Sequence, residues 1–428
     1  MNRAAAKITS IVLNHPTNRV WWTTFAVALA LLFTFVVSGL VVLIGGVGMW
    51  GINIPVGWGM AITNFVWWIG IGHAGTLISA FLLLMRQGWR DSINRFAEAM
   101  TLLAVVCAGV FPLLHLGRPW LFYYLAPYPN TMGLWPQWRS PLVWDMFAVA
   151  TYFTVSLLFW YLGLVPDLAV MRDATTGWKQ KVYGVMALGW RGSAHHWVLH
   201  QRADLLLAAF ATPLVLSVHS IVSLDFAVGI VPGWHSTILP PYFVAGAILS
   251  GFAMVATLAI PLRRYYQLEE FITNRHLENM AKLMLLTSIL VTYGYASEMF
   301  MAWYSHDPAE VATIRDWFVG PYAPVWYTML LCNCTVPALF WWRKIRTWPA
   351  AIFVISLLVN LGMWLERYLI VINSLHHDFL PSSAGIYVPT LWDWGLLTGT
   401  LGLFLTFFMI FLRTLPAISI YEVSEGEE

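Results

Sequence analysis

Charge is what this sequence has least of. Asp, Glu, Lys and Arg make up only 10% of its 428 residues, whereas a water-soluble domain uses roughly a quarter, so the chain cannot clothe a globular surface in water. Cysteine is scarce as well. Cys107, Cys332 and Cys334 are the three present, all inside apolar runs, and their spacing suits neither a disulfide framework nor a zinc or iron–sulfur site. The net charge of +2 gives no footing for a nucleic-acid partner. The alternating ten-residue segments of an outer-membrane barrel are missing. Residues 1–22 lack a cleavage-type leader pattern, since a polar stretch with Pro16 runs straight into a full-length apolar segment. The first helix is therefore expected to stay.

What the sequence has instead is apolar length. It is 59% hydrophobic, with 25 Trp, and its apolar runs repeatedly reach the twenty or so residues that carry a helix across a hydrocarbon core about 30 Å thick. Spans are expected near 24–46, 57–85, 97–116, 141–164, 204–229, 240–262, 282–304, 323–342, 349–375 and 391–412. Of the 23 Lys and Arg, 19 fall on the side of the termini and 3 on the other, with Arg367 inside the ninth span. By the positive-inside rule both termini are cytoplasmic. The outer loop 117–139 carries Trp120, Phe122, Tyr123, Tyr124, Tyr128, Trp135 and Trp138, rings that settle at a membrane–water interface. The inner segment 166–202 mixes tryptophans with Lys179, Lys181 and Arg191 and is expected to lie on an anionic leaflet.

Ala74-Gly75-Thr76-Leu77-Ile78-Ser79-Ala80 in the second span has a counterpart in Ala245-Gly246-Ala247-Ile248-Leu249-Ser250-Gly251 in the sixth. Pro141, Trp144 and Met146 opening the fourth span match Pro324, Trp326 and Met329 opening the eighth. The expected fold is an all-α, polytopic membrane protein of about ten transmembrane helices: two four-helix bundles in parallel repeat plus two flanking helices. The expected division is 1–56 (N-terminal segment and first helix), 57–229 (first bundle), 230–375 (second bundle) and 376–428 (last outer loop, tenth helix and tail).

An ionisable side chain in hydrocarbon needs a partner or a function. His73, Glu98, His115, Asp145, His219, Asp225, Glu298, Glu366 and Arg367 fall at such depth. His115 ends the third span and Asp145 lies in the first turns of the fourth, after Ser140 as N-cap and Pro141 at the first helical position, so both sit at similar depth on the outer side. Oxidation of a quinol releases two electrons and two protons, and a histidine facing an aspartate supplies acceptors for the protons. The alternative is that Asp145 pairs with Arg118 or Arg139 at the interface. His73, His219, Asp225, Glu298, Glu366 and Arg367 are candidates for a proton path, and an internally neutralised cluster is the competing reading. His73 and His219 are the one pair deep enough to compare with haem ligands, and nothing else suggests haem. His195, His196 and His200 suit an interfacial helix better than a metal site. His376, His377 and Asp378 face either a quinol mouth or solvent.

Three blocks, Gly72-His73-Ala74-Gly75-Thr76-Leu77-Ile78-Ser79, His115-Leu116-Gly117-Arg118-Pro119-Trp120 and Ser140-Pro141-Leu142-Val143-Trp144-Asp145, resemble the NrfD-like membrane subunits that include the polysulfide reductase anchor. Ser217 to Ala227, Pro240 to Ile248 and Asn360 to Arg367 look more specifically like the ActC-type subunit of alternative complex III, with the sister ActF type sharing the fold. The resemblance implies a multi-pass subunit of the bacterial inner membrane that binds menaquinol or ubiquinol near the periplasmic face, in a respiratory or photosynthetic chain. It implies that His115 and Asp145 hold the quinol with Arg118 and Trp144 beside them, and that electrons pass to an extrinsic periplasmic iron–sulfur subunit. It also implies a paralogous NrfD-like subunit, cytochrome c subunits and lipids as partners, and a contribution to proton translocation. No haem, flavin or iron–sulfur motif is expected in the chain itself, so the electrons must leave to another subunit. The rival readings are a quinone-free structural anchor and a secondary transporter.

Overall fold

A computed structural model describes residues 3–128, 133, 135–377, 379 and 381–425. Among them the regular structure is all helix, and ten helices are long and apolar enough to cross a membrane: Arg19–Gly45, Gly59–Leu84, Asn94–His115, Pro141–Asp173, Ala194–Ala227, Leu239–Tyr265, Asn274–Ser305, Ala323–Trp341, Pro349–His376 and Leu391–Thr414. The fourth, fifth and seventh run about eight to ten residues further into the cytoplasmic side than hydropathy placed them. A hydropathy reading stops at the first charged residues, whereas the helix goes on until its backbone groups find a cap. The fifth helix starts at Ser193, whose hydroxyl accepts from the His196 N–H at 3.2 Å. The seventh starts at a box between Thr273 and His276. The expected interfacial segment thereby shrinks to a short helix, Gly177–Met186, and a loop. His195, His196 and His200 sit in the first turns of the fifth helix.

Spans two to five pack against one another, as do spans six to nine, and spans one and ten lie together along the side. The second span is the hub: it touches the third, fifth, sixth and ninth, and nearly all of it is buried, while the first turns most of its length outward. Small residues permit this closeness. A Cβ on Gly75 would stand 2.0 Å from the Ala97 carbonyl oxygen, and one on Gly251 would stand 2.2 Å from Ala74 Cβ. Gly75 thus brings the second span onto the third within the first bundle, and Gly251 brings the two bundles together at Ala74.

Two spans contain a π-type turn, 331–335 in the eighth and 369–373 in the ninth. Such a turn adds a residue to the helix and re-aims its side chains. In the eighth it points Asn333 at the centre of the second bundle, against Gly362. At the cytoplasmic end, a C-terminal helix, Ile420–Glu425, folds back over the first bundle, and Tyr421 stacks on Trp197 with centroids 3.9 Å apart.

Candidate quinol site in the first bundle

The outer end of the first bundle holds a cavity of 470 Å³, walled by apolar side chains including Ile62, Phe65, Val149 and Phe153 and lined by three ionisable groups: His115, Asp145 and Asp225. Each is delivered by a helix end. Span three runs out at His115, whose ring lies parallel to the Trp50 indole, 11° between planes and 5.8 Å between centroids. Span four opens at Pro141, whose missing N–H costs nothing in a first turn, and Asp145 follows one turn later, 7% exposed. Ser140 occupies the N-cap position in extended conformation, but its side chain makes no capping bond. Asp225 closes the fifth span. Its carboxyl stands within hydrogen-bonding reach of the Asp145 carboxyl.

His115 Nδ1 and one carboxyl oxygen each of Asp145 and Asp225 are buried without a hydrogen-bond partner among the described residues. Unsatisfied buried polar atoms are costly, and three of them around one apolar cavity fit a ligand with an apolar body and a few hydroxyl or carbonyl groups. A quinol head matches that description. Arg118 and Trp144 are not part of this wall. Arg118 is exposed at the start of the 3₁₀ turn Pro119–Leu125, which brings Phe122 and Leu125 to the cavity. The Trp144 indole donates to the Trp138 carbonyl at 2.6 Å. Neither Arg118 nor Arg139 pairs with Asp145 among the described residues.

Deeper in the bundle, His73 and His219 meet edge to face, with their Nδ1 atoms 2.7 Å apart in a hydrogen bond and both rings fully enclosed. Toward the cytoplasm a set of hydroxyls follows. Tyr152 and Thr101 both donate to the Gly72 carbonyl at 2.7 Å, and Thr76 and Ser156 are 2.9 Å apart. At the cytoplasmic end Arg95 pairs with Glu98 and Asp167, each at 3.3 Å, and Arg90 pairs with Glu422 at 2.7 Å. Sequence reading found Glu98 but not Arg95, Asp167 or Glu422, because their pairing joins distant parts of the chain.

The second bundle handles its carboxylates differently. Glu366 is bound by Arg367, by the Tyr295 hydroxyl and by Asn333. The Arg367 guanidinium lies over the Phe243 ring, 4.1 Å from its centre. Glu298 lies between this cluster and an outer vestibule of 250 Å³ that also contains Glu310. Burial pushes the Glu310 carboxyl above its usual range, partly offset by the Gly233 N–H that it accepts. His376 binds Asp316 at 3.0 Å and does not line the first-bundle cavity, and Asp378 lies outside the described residues. The cysteines are free, and among the described residues no group of three or more His, Cys, Asp or Glu is placed to hold a metal ion.

Residues 49–377 match the family model of the polysulphide reductase NrfD family, a stretch that includes both bundles and every residue of the cavity. The chain belongs to that family. Among curated NrfD relatives, it is 24% identical over 360 residues to a putative membrane subunit of dimethyl sulfoxide reductase from Halobacterium salinarum, covering 80% of this chain and 78% of the relative. It is 21% identical over 404 residues to a selenate reductase subunit from Mesobacillus selenatarsenatis, covering 85% and 86%. The ten spans and this membership make it a multi-pass membrane protein.

Proposed function

We propose that this NrfD-family subunit oxidises a quinol in the outer cavity of its first bundle and hands the electrons to a partner. The observation that carries the reading is the meeting of His115, Asp145 and Asp225 around one apolar cavity, each with a polar atom that has no hydrogen-bond partner among the described residues. A quinol that becomes a quinone loses two electrons and two hydroxyl protons. One proton goes to Asp145, which is backed by the Asp225 carboxyl, and the other to the His115 imidazole. Trp50 keeps the imidazole plane fixed for that transfer. The apolar walls exclude water and admit the isoprenoid body from the lipid.

The sequence carries no haem, flavin or iron–sulfur motif, and an extrinsic iron–sulfur subunit docked on the outer, aromatic-rich face is the acceptor that this reading assigns. The relatives' names favour a reductase complex, in which a membrane subunit supplies electrons to a soluble catalytic partner. The alternative complex III arrangement, with a paralogous membrane subunit and cytochrome c partners in a bacterial inner membrane, is the other assembly compatible with the same site. Menaquinol and ubiquinol are both candidate substrates. His73, His219, Asp225, Glu298, Glu366 and Arg367 remain the candidate groups for any coupled proton movement.

The test is quinol:acceptor activity of the purified native complex carrying Asp145→Asn, an isosteric change that removes the proton acceptor. Turnover is expected to fall by about 10²-fold or more, with the complex still fully assembled. Full turnover in an intact complex would place the site elsewhere and favour the structural-anchor or transporter reading.

A further inference from the structure

The cytoplasmic end of the second bundle holds another cavity, 580 Å³ in volume, between the end of span six and the start of span nine. Its rim is basic: Arg263 and Arg264 face it, with Glu269 as the opposing carboxylate. Its floor is apolar, made by Ile260, Pro261 and Phe353, and Trp348 stands at its edge, 61% exposed. The two arginines are not held by acidic neighbours. Arg264 makes no ion pair among the described residues. Arg263 donates through Nη1 to Asn274 Oδ1 at 2.8 Å, and this bond fixes the guanidinium while its buried Nε has no partner.

We propose that this cavity binds the phosphate of an anionic phospholipid of the inner leaflet, with the glycerol and upper acyl chain against the apolar floor. The cavity lies at the ends of two spans on the lysine- and arginine-rich side. There the surface of an anionic leaflet attracts cations, and basic pockets between helices take lipid headgroups. A guanidinium offers paired N–H donors to a phosphate. An indole at the rim suits the carbonyl level of the bilayer. A free phosphate would use the arginines but leave the floor uncovered, so the apolar half of the cavity assigns the ligand to lipid. This assignment does not rest on the quinol reading.

The native complex would be equilibrated with vesicles of equimolar phosphatidylglycerol and phosphatidylcholine, repurified in mild detergent, and its retained phospholipid counted by mass spectrometry. Wild type is expected to retain phosphatidylglycerol selectively. Arg264→Gln, at an exposed position, is expected to weaken retention about fivefold, and the pair Arg263→Ala, Arg264→Ala about 25-fold. Retention should survive in Arg263→Lys, Arg264→Lys, which keeps the charge. Equal retention in wild type and Arg264→Gln would overturn the proposal. So would displacement of the lipid by an equal concentration of inorganic phosphate, since the acyl chain would then contribute nothing. A photoreactive residue in place of Phe353 should label lipid, and a label on another protein of the complex would show that protein covers this face instead.

Discussion

The two bundles keep buried carboxylates in opposite ways. In the first, Asp145 and Asp225 stand together in the wall of a cavity with no ion pair to a cation among the described residues, and His115, one nitrogen of which has no partner among them, lines the same space. In the second, Glu366 is enclosed by Arg367, Tyr295 and Asn333, and no room is left for more than a water molecule or two beside it. Where the expected repeat aligns the fourth and eighth spans, Asp145 is matched by Tyr327, a half-exposed ring whose hydroxyl donates to the Phe318 carbonyl at 3.3 Å. One bundle leaves polar capacity unspent and the other uses it internally. An unspent group is available to a ligand, and a satisfied one chiefly fixes structure.

The comparison predicts that matched substitutions fail in different ways. The largest effect on stability belongs to the closed cluster: Arg367→Met strands the Glu366 carboxylate and is expected to cost ~3–5 kcal/mol, read as a lower thermal midpoint of the purified complex. Adding Glu366→Gln should restore most of it. If Arg367→Met melts like wild type but loses turnover, the second bundle is part of the chemistry and the contrast breaks. In the open site, Asp225→Asn is expected to lower turnover about tenfold at unchanged midpoint, less than Asp145→Asn. The double variant should be no slower than Asp145→Asn, because the two carboxyls act as a unit. Independent, multiplying losses would mean that each carboxyl serves a separate proton. The smallest effect should come from Trp50→Leu. It removes the ring that holds the His115 plane, worth roughly 0.5–1.5 kcal/mol, and should appear as a few-fold rise in quinol KM with kcat little changed.

Much of the fold was legible because lipid imposes simple rules. Every backbone group must be satisfied within a helix, and each helix must be apolar for about 20 residues, so ten spans appear in the sequence nearly where the structure has them. Charge told against the helix ends: at 165–173, 194–203 and 274–281 the polar sequence conceals helix continuing into the cytoplasm. His115 and Asp145 were legible as a pair because each sits at the outer end of its span, and depth can be counted along a chain. Asp225 was left with the proton-path candidates. Its position beside Asp145 depends on how the fifth span rotates against the fourth, which no spacing within either helix records. Arg118 and Trp144 were named beside the pair on the strength of the resemblance, and neither lines the cavity formed by the described residues.

The sequence by itself determined the solvent, the number of crossings, which side bears the cations and which ionisable groups lie in hydrocarbon, since each follows from local composition and from a period set by one helix. Tertiary structure decided which of those groups meet. Partners such as Glu366 with Tyr295 and Asn333, His73 with His219, and Asp145 with Asp225 come from different spans. Their meeting depends on the rotation and close approach of whole helices, set by small residues such as Gly75 and Gly251 and by the π turn at Asn333. A helix encodes its own faces but not the helix that it will turn them to.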